Sequence, residues 1–307
     1  MSFFEAHRHS TVSASIGIAV GGAFWGIYWI PLRALDSAGL SGAWAGIGLY
    51  VAAIALATPW LWAARHRLQK RFLTVLFVGI AMGSGMGLFS TAVVLTEVVR
   101  ATLLFYLAPV WATIAGLFFL GERLTLARII ALILGLVGAA ILLGIGDTLP
   151  IPSNLGDWMA FASGLTFAVG SLFVYRMKAV SITEQSLGFM MGAIISSLAI
   201  IGLGILWGLP ELGSLPTTAD LAALLPTLGW GGLLVLGLVF TVIWPAKVLS
   251  PGRVSLLLMG EIIVGAVTSM IWAGEALVSR ELIGGVLIIS AGLVEVFGNK
   301  PNDASGA

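Results

Sequence analysis

Ten apolar stretches, each long enough to cross a bilayer, fill this 307-residue chain, and the short gaps between them hold nearly all of its charged residues. A helix rises about 1.5 Å per residue, so roughly 20 apolar residues cover the ~30 Å hydrocarbon layer. The stretches run near residues 15–33, 40–62, 72–93, 101–120, 127–145, 158–176, 187–207, 224–244, 255–273 and 282–297. Membrane-spanning β-strands would alternate in polarity over about ten residues. Here the runs are continuous and far longer, so helices are predicted. With 59% hydrophobic and 9% charged residues, a water-soluble fold would have too little polar surface to cover itself, and lipid removes that need.

The distribution of charge says more than the net value of +1, which gives no sign of nucleic-acid binding. With the N-terminus in the cytoplasm, Arg8, Arg65, Arg67, Lys70, Arg71, Arg123, Arg128, Arg176, Lys178, Lys247, Arg253 and Lys300 all fall inside. Only Arg33, Arg100 and Arg280 fall outside. This is the bias expected when basic loops stay cytoplasmic, and it predicts both termini inside and an even number of spans. The N-tail MSFFEAHRHS runs straight into a full-length span, so no cleaved leader is expected. With no cysteine there are no disulfides, thiolate metal sites or cysteine nucleophiles. His7, His9 and His66 lie in cytoplasmic segments, which leaves no histidine ligand for zinc or haem at membrane depth. There is no Walker A run either. We expect no cofactor and no metal.

The turn-rich, acidic segment 147–157 lies near mid-chain and divides the spans five and five. The predicted organisation is an N-tail at 1–13, a first unit at 14–146, a linking periplasmic loop at 147–157, a second unit at 158–297 and a C-tail at 298–307. Five is odd, so the second unit enters the membrane from the opposite side, and any likeness between the units implies inverted topology. Such a likeness is present. Laying Arg100-Ala-Thr-Leu-Leu over Arg253-Val-Ser-Leu-Leu brings Leu120-Gly-Glu-Arg-Leu onto Ala273-Gly-Glu-Ala-Leu without a gap. In both copies a basic residue opens the helix, a Gly-Glu pair closes it and a Gly-rich span follows.

The run Phe105-Tyr-Leu-Ala-Pro-Val-Trp-Ala-Thr-Ile-Ala-Gly-Leu-Phe-Phe-Leu-Gly-Glu-Arg-Leu-Thr125 and the Gly-rich span after it resemble the end of an EamA-type repeat of the drug/metabolite transporter superfamily. The second unit resembles another such repeat from Leu256 to Leu293, although it has Glu261-Ile-Ile where members often carry an acid-Pro or similar turn. The resemblance implies an all-α membrane protein of ten transmembrane helices, built as two inverted five-helix repeats, in a bacterial inner membrane. The aromatic-rich first and fourth spans look most similar to bacterial amino-acid exporters, those for aromatic amino acids in particular.

In a transporter of this symmetry the substrate sits near the midplane between the halves. Glu261 is the sharpest candidate, because a charge at that depth costs about 2.5–3.5 kcal/mol on insertion scales. It reads as a site for a substrate amino group or an exchanged proton, or else as the cap of a broken helix. Trp25 and Tyr28 share a helical face beside Gly21, Gly22 and Gly26, which let a neighbouring backbone approach while the rings wall a cavity. Trp29, beside Pro31, fits an interfacial belt equally well. Tyr106 and Pro109 share a face of the fourth span, where Pro109 frees a carbonyl and bends the helix. Met82 and Met86 offer a flexible, polarizable face suited to varied apolar side chains, or simply to packing. Phe167 and Phe240 complete the expected lining. Glu295 reads as a boundary residue that snorkels to water or pairs with Lys300. Glu122 and Glu275 read as structural parts of the Gly-Glu turns.

The sequence thus predicts a secondary transporter, not an enzyme, that exports small amphipathic metabolites, amino acids with large apolar or aromatic side chains above all. A drug or sugar-derivative carrier is the alternative within transporters. An integral-membrane enzyme acting on lipid-linked substrates would need paired acids, or an acid with histidine, near one interface, yet the longest gap holds only Glu211 and Asp220. The expected partners are a small-molecule substrate and membrane lipid, with no nucleic acid. A monomer is compatible with the sequence.

Overall fold

Within the described residues, all ten apolar stretches are helical apart from short breaks in the computed structural model, which describes residues 3–40, 43–96, 98–142, 151–209, 212, 221–273 and 279–298. The helices are α1 (Phe3–Trp25), α2 (Trp29–Ser37), α3 (Ala43–Leu56), α4 (Thr58–Lys70), α5 (Phe72–Leu95), α6 (Val98–Phe105), α7 (Ala108–Leu120), α8 (Leu126–Leu142), α9 (Leu155–Arg176), α10 (Ile182–Trp207), α11 (Leu221–Ala246), α12 (Pro251–Leu258), α13 (Gly260–Ala273) and α14 (Ser279–Leu293). A π-helical turn, Val294–Gly298, extends α14. Among the described residues, six helical segments are long and apolar enough to cross a membrane, or seven if the bent pair α3/α4 counts as one. The remaining expected spans are either short, such as the 17-residue α8, or broken, such as α12/α13. Helix already begins at Phe3, inside the expected N-tail, and α9 starts at Leu155, inside the expected linking loop. The second Gly-Glu turn, at residues 274–275, and Lys300 lie outside the described residues.

The breaks have local causes. Proline fits the first turn of a helix because its missing N–H would have no partner there. Pro59 occupies that position in α4, which leaves α3 at an angle of 82°. Pro109 does the same in α7. The fourth span therefore does not bend about Pro109 at mid-helix, as the sequence predicted. It stops at Phe105 and restarts at Ala108, with Tyr106 and Leu107 between. The ninth span stops at Leu258 and restarts at Gly260.

Small residues set the closest crossings. A Cβ on Gly79 would lie 1.9 Å from the Gly188 carbonyl oxygen, so α5 and α10 touch backbone to backbone. In its principal contacts, α5 packs on α9 and α10, while α11 packs on α1 and α3. Likewise α9 packs on α6 and α7, while α1 packs on α12 and α13. The pairs α8/α14, α3/α10 and α7/α12 complete the set. Exchanging each span for the one five places along leaves these span-to-span contacts unchanged. Large apolar side chains such as Phe118 (82% exposed) and Leu206 (79% exposed) cover the outside, a surface suited to lipid.

Ion pairs tie the ends. Arg100 Nη2 lies 2.5 Å from Asp157 Oδ2, and the same carboxylate accepts from Thr96 Oγ1 at 2.7 Å and from the Ser153 N–H at 3.0 Å. These bonds fasten the start of α9 to the α5–α6 connection. At the other end of the fourth span, Arg128 Nη2 lies 2.9 Å from Glu295 Oε1 and its Nη1 lies 3.5 Å from Glu122 Oε2. Arg253 Nη2 donates to the Val296 carbonyl at 3.2 Å. Glu295 is fully buried, against the expectation that it would reach water. With Arg128 and Arg253 at hand, its charge is balanced inside the protein.

Candidate functional site

The two broken helices border one hollow. Its cavity volume is about 50 Å³, and it is lined by Trp25, Tyr28, Met86, Phe89, Phe105, Phe167, Val242, Leu258 and Glu261. Phe105 and Leu258 are the last residues before the two breaks. Glu261 opens α13 immediately after the second. The lining therefore draws on the first, third and fourth spans and on the sixth, eighth and ninth.

Glycines let α1 and α9 approach those breaks. A Cβ on Gly22 would lie 3.1 Å from Leu258 Cα, and one on Gly26 would lie 2.5 Å from the Glu261 carbonyl oxygen. On the other side, a Cβ on Gly164 of α9 would lie 2.6 Å from the Phe105 carbonyl oxygen. That carbonyl is the acceptor Pro109 cannot serve, and α9 closes over it.

The walls are mostly rings in edge or tilted contact, the arrangement favoured by aromatic quadrupoles. Phe105 lies 4.9 Å from Phe89, 5.4 Å from Tyr106 and 5.7 Å from Phe167, centroid to centroid. Trp25 and Tyr28 are 5.5 Å apart. Polar groups interrupt this apolar wall at few points. Trp25 Nε1, Tyr28 Oη and Tyr106 Oη are buried without a formed hydrogen bond among the described residues. Glu261 is half-buried and forms no salt bridge among the described residues, and the Tyr106 hydroxyl faces its carboxylate. A carboxylate taken from water without a counter-charge is expensive, so a proton or a cationic group must accompany Glu261 in the hollow.

Of the residues singled out in the sequence, the structure brings Trp25, Tyr28, Met86, Phe167 and Glu261 together on this lining. Tyr106 lies just behind it, in contact with Phe105 and Glu261. Met82 is fully buried against α9, where a Cβ on Gly170 would lie 2.3 Å from its Cα. Pro109 is buried in the first turn of α7 and does not border the hollow. Phe240 is 52% exposed and faces outward, while its neighbour Val242 takes the inner position. Periodicity along α11 could have separated the two, since they lie about 200° apart around a helix. Phe89, Phe105 and Leu258 went unnoticed as lining residues. The Arg100/Arg253 alignment carried the signal for the last two, because it sets Phe105 opposite Leu258. Trp29 bonds Thr268 Oγ1 through Nε1 at 3.3 Å and stacks under Arg33, away from the hollow.

A model of the EamA-like transporter family matches residues 12–144. No curated protein matches the chain. A solved structure described as "Crystal structure of protein" is similar in fold, with a TM-score of 0.65 and 19% identity over 92% of this chain and 97% of that one. The family match covers the first half, and the similarity of fold extends over both.

Proposed function

We propose that this chain, an integral membrane protein similar over its first half to EamA-like transporters, is a secondary transporter built from two inverted five-helix repeats. It exports small amphipathic metabolites across a bacterial inner membrane by alternating access, both termini being cytoplasmic. Amino acids with large apolar or aromatic side chains are the leading substrates. One observation carries this reading: a ring-lined hollow with one carboxylate, Glu261, among its described residues lies where the breaks of two span-related helices meet. Broken helices at the repeat interface expose backbone groups to a substrate while the rest of the span stays rigid.

Two further observations support the repeat. Under the Arg100/Arg253 alignment, α6 and α12 start and stop at matching positions, each eight residues long. The principal helix contacts also survive exchange of the halves. In the proposed mechanism the rings and Met86 cover the substrate side chain, and Glu261 receives its ammonium group or a proton. Moving one charge through 100 mV supplies about 2.3 kcal/mol, so the membrane potential is a sufficient source of energy.

The test is flux in proteoliposomes with a panel of labelled amino acids. Uptake of aromatic and large aliphatic amino acids, competed by one another, is expected. If no free amino acid moves or competes while another metabolite does, the chain is a different carrier of the same type.

A further inference from the structure

We propose that the hydroxyl groups of Tyr28, Tyr50 and Ser90 form a subsite for the carboxylate of a zwitterionic substrate whose ammonium group meets Glu261. The inference rests on the amino-acid reading above and goes beyond it by assigning the second polar end.

The three hydroxyls come from three segments: Tyr28 from the turn between α1 and α2, Tyr50 from α3 and Ser90 from α5. Tyr28 is 5% exposed, and Tyr50 and Ser90 are each 2% exposed. A Cβ on Gly46 would lie 3.6 Å from Ser90 Oγ and 4.0 Å from Tyr28 Oη, so two of the hydroxyls sit side by side against α3. The third approaches from Tyr50. None of the three completes a hydrogen bond in distance and angle among the described residues. Buried hydroxyls normally satisfy one another or the backbone, as Thr91 does by bonding the Gly87 carbonyl at 3.0 Å in the same helix. The Tyr28 hydroxyl faces both Ser90 and Tyr50, so the three protons can turn together toward an acceptor placed among them.

The cluster adjoins the hollow. Tyr28 lines it, and Ser90 lies one helical turn beyond Met86 on the same face of α5. No lysine or arginine is among the lining residues, so neutral donors are what an anionic group would meet. The Trp25 indole N–H, also buried and unbonded, adds a donor beside Tyr28. A carboxylate offers several lone pairs and bonds neutral donors more strongly than a neutral acceptor does. In a zwitterion the ammonium then lies between its own carboxylate and Glu261, and neither charge is buried alone.

The experiment compares phenylalanine with phenethylamine, the same side chain and amine without the carboxylate, in proteoliposomes containing wild type, Tyr50→Phe, Ser90→Ala or the double variant. Each substitution removes an oxygen and keeps most of the packing. The double variant is expected to raise KM for phenylalanine about tenfold or more, with each single variant in between, while the inhibition constant of phenethylamine stays within about twofold of wild type. An unchanged KM for phenylalanine, or an equal rise for both probes, overturns the subsite and leaves the transport reading standing. If wild type neither transports phenylalanine nor is inhibited by it, the amino-acid reading falls and takes the subsite with it. Should the double variant fail to fold, Ser90→Ala alone is judged by the same two constants.

Discussion

Phe105 and Leu258 each end an eight-residue helix, in different halves of the chain, and both face the same hollow. Their surroundings differ in one respect: Phe105 touches three other rings. Phe105→Ala should therefore cost about 3–5 kcal/mol and Leu258→Ala about 2–5 kcal/mol, each toward the lower end because the site already borders empty space. Thermal unfolding in detergent measures both. In flux assays Phe105→Ala should weaken transport of aromatic substrates more than of small ones.

Glu261 is the only carboxylate among the described residues of that lining. Glu261→Gln keeps the shape and removes both the charge and the exchangeable proton. The expected result is loss of most amino-acid uptake, with the residual flux no longer varying with pH. Intact uptake together with an intact pH profile would remove Glu261 from the mechanism.

Gly26 tests the crossing that brings α1 to the ninth span. Any Cβ there would lie 2.5 Å from the Glu261 carbonyl oxygen and 2.6 Å from the Gly265 nitrogen, both backbone atoms that cannot rotate away. Gly26→Ala should destabilise by about 1–3 kcal/mol and impair transport. Gly237, whose added Cβ would meet nothing within 4 Å, is the control. Gly237→Ala should be neutral or slightly stabilising, because alanine favours helix by about 1 kcal/mol over glycine.

Much of this arrangement was legible in the sequence because the bilayer permits so few solutions. Continuous apolar runs had to be helices, and the gapless match of Arg100-Ala-Thr-Leu-Leu to Arg253-Val-Ser-Leu-Leu pairs the two segments that break after Phe105 and Leu258, although the match itself gave no sign of the breaks. Gly121 closes α7 in the left-handed conformation (φ 65°), as the Gly-Glu pair suggested. A charge inside an apolar run was legible too, and it singled out Glu261. Facing was not. Phe240 and Val242 are both apolar residues of one apolar helix, and only packing decides which turns to lipid. Nor could partners distant in sequence be read: nothing near Glu295 announces Arg128, and nothing near Arg100 announces Asp157.

Lys178 and Lys247 latch the α9–α10 connection to the α11–α12 connection. Lys178 donates to the Lys247 carbonyl, and Lys247 returns a bond to the Lys178 carbonyl at 3.2 Å and another to that of Val180. Burial holds both ammonium groups below their ordinary value of 10.5, with Lys247 adding to the effect on Lys178 and Glu184 opposing it at Lys247. Between the lowered value and 10.5 the unfolded chain binds more protons than the folded one, so stability rises with pH across that window. The penalty is fully present below it. Melting temperatures taken from about pH 8 to pH 10.5 should climb for wild type relative to Lys178→Met, which lacks the titrating group.

Among the described residues, Arg128 forms one ion pair with a buried carboxylate, Glu295, and one with a half-buried carboxylate, Glu122. Arg128 faces two carboxylates, with Glu295 at 2.9 Å and Glu122 at 3.5 Å, but the Glu295 side chain is fully buried while that of Glu122 is 20% exposed. Removing Glu122 leaves Arg128 its shorter bond. Glu122→Gln should therefore cost about 1 kcal/mol or less. Removing Glu295 leaves the charges of both Arg128 and Arg253 without their buried counter-ion, and that loss is typically worth about 3–5 kcal/mol. Because these residues join α8, α12 and the turn after α14, Glu295→Gln should lower the melting temperature far more than Glu122→Gln. Pairing Glu295→Gln with Arg128→Met should recover part of the loss, since the second change removes one of the stranded charges. A double variant as unstable as the sum of its parts would mean that the two side chains do not interact, contrary to the 2.9 Å contact.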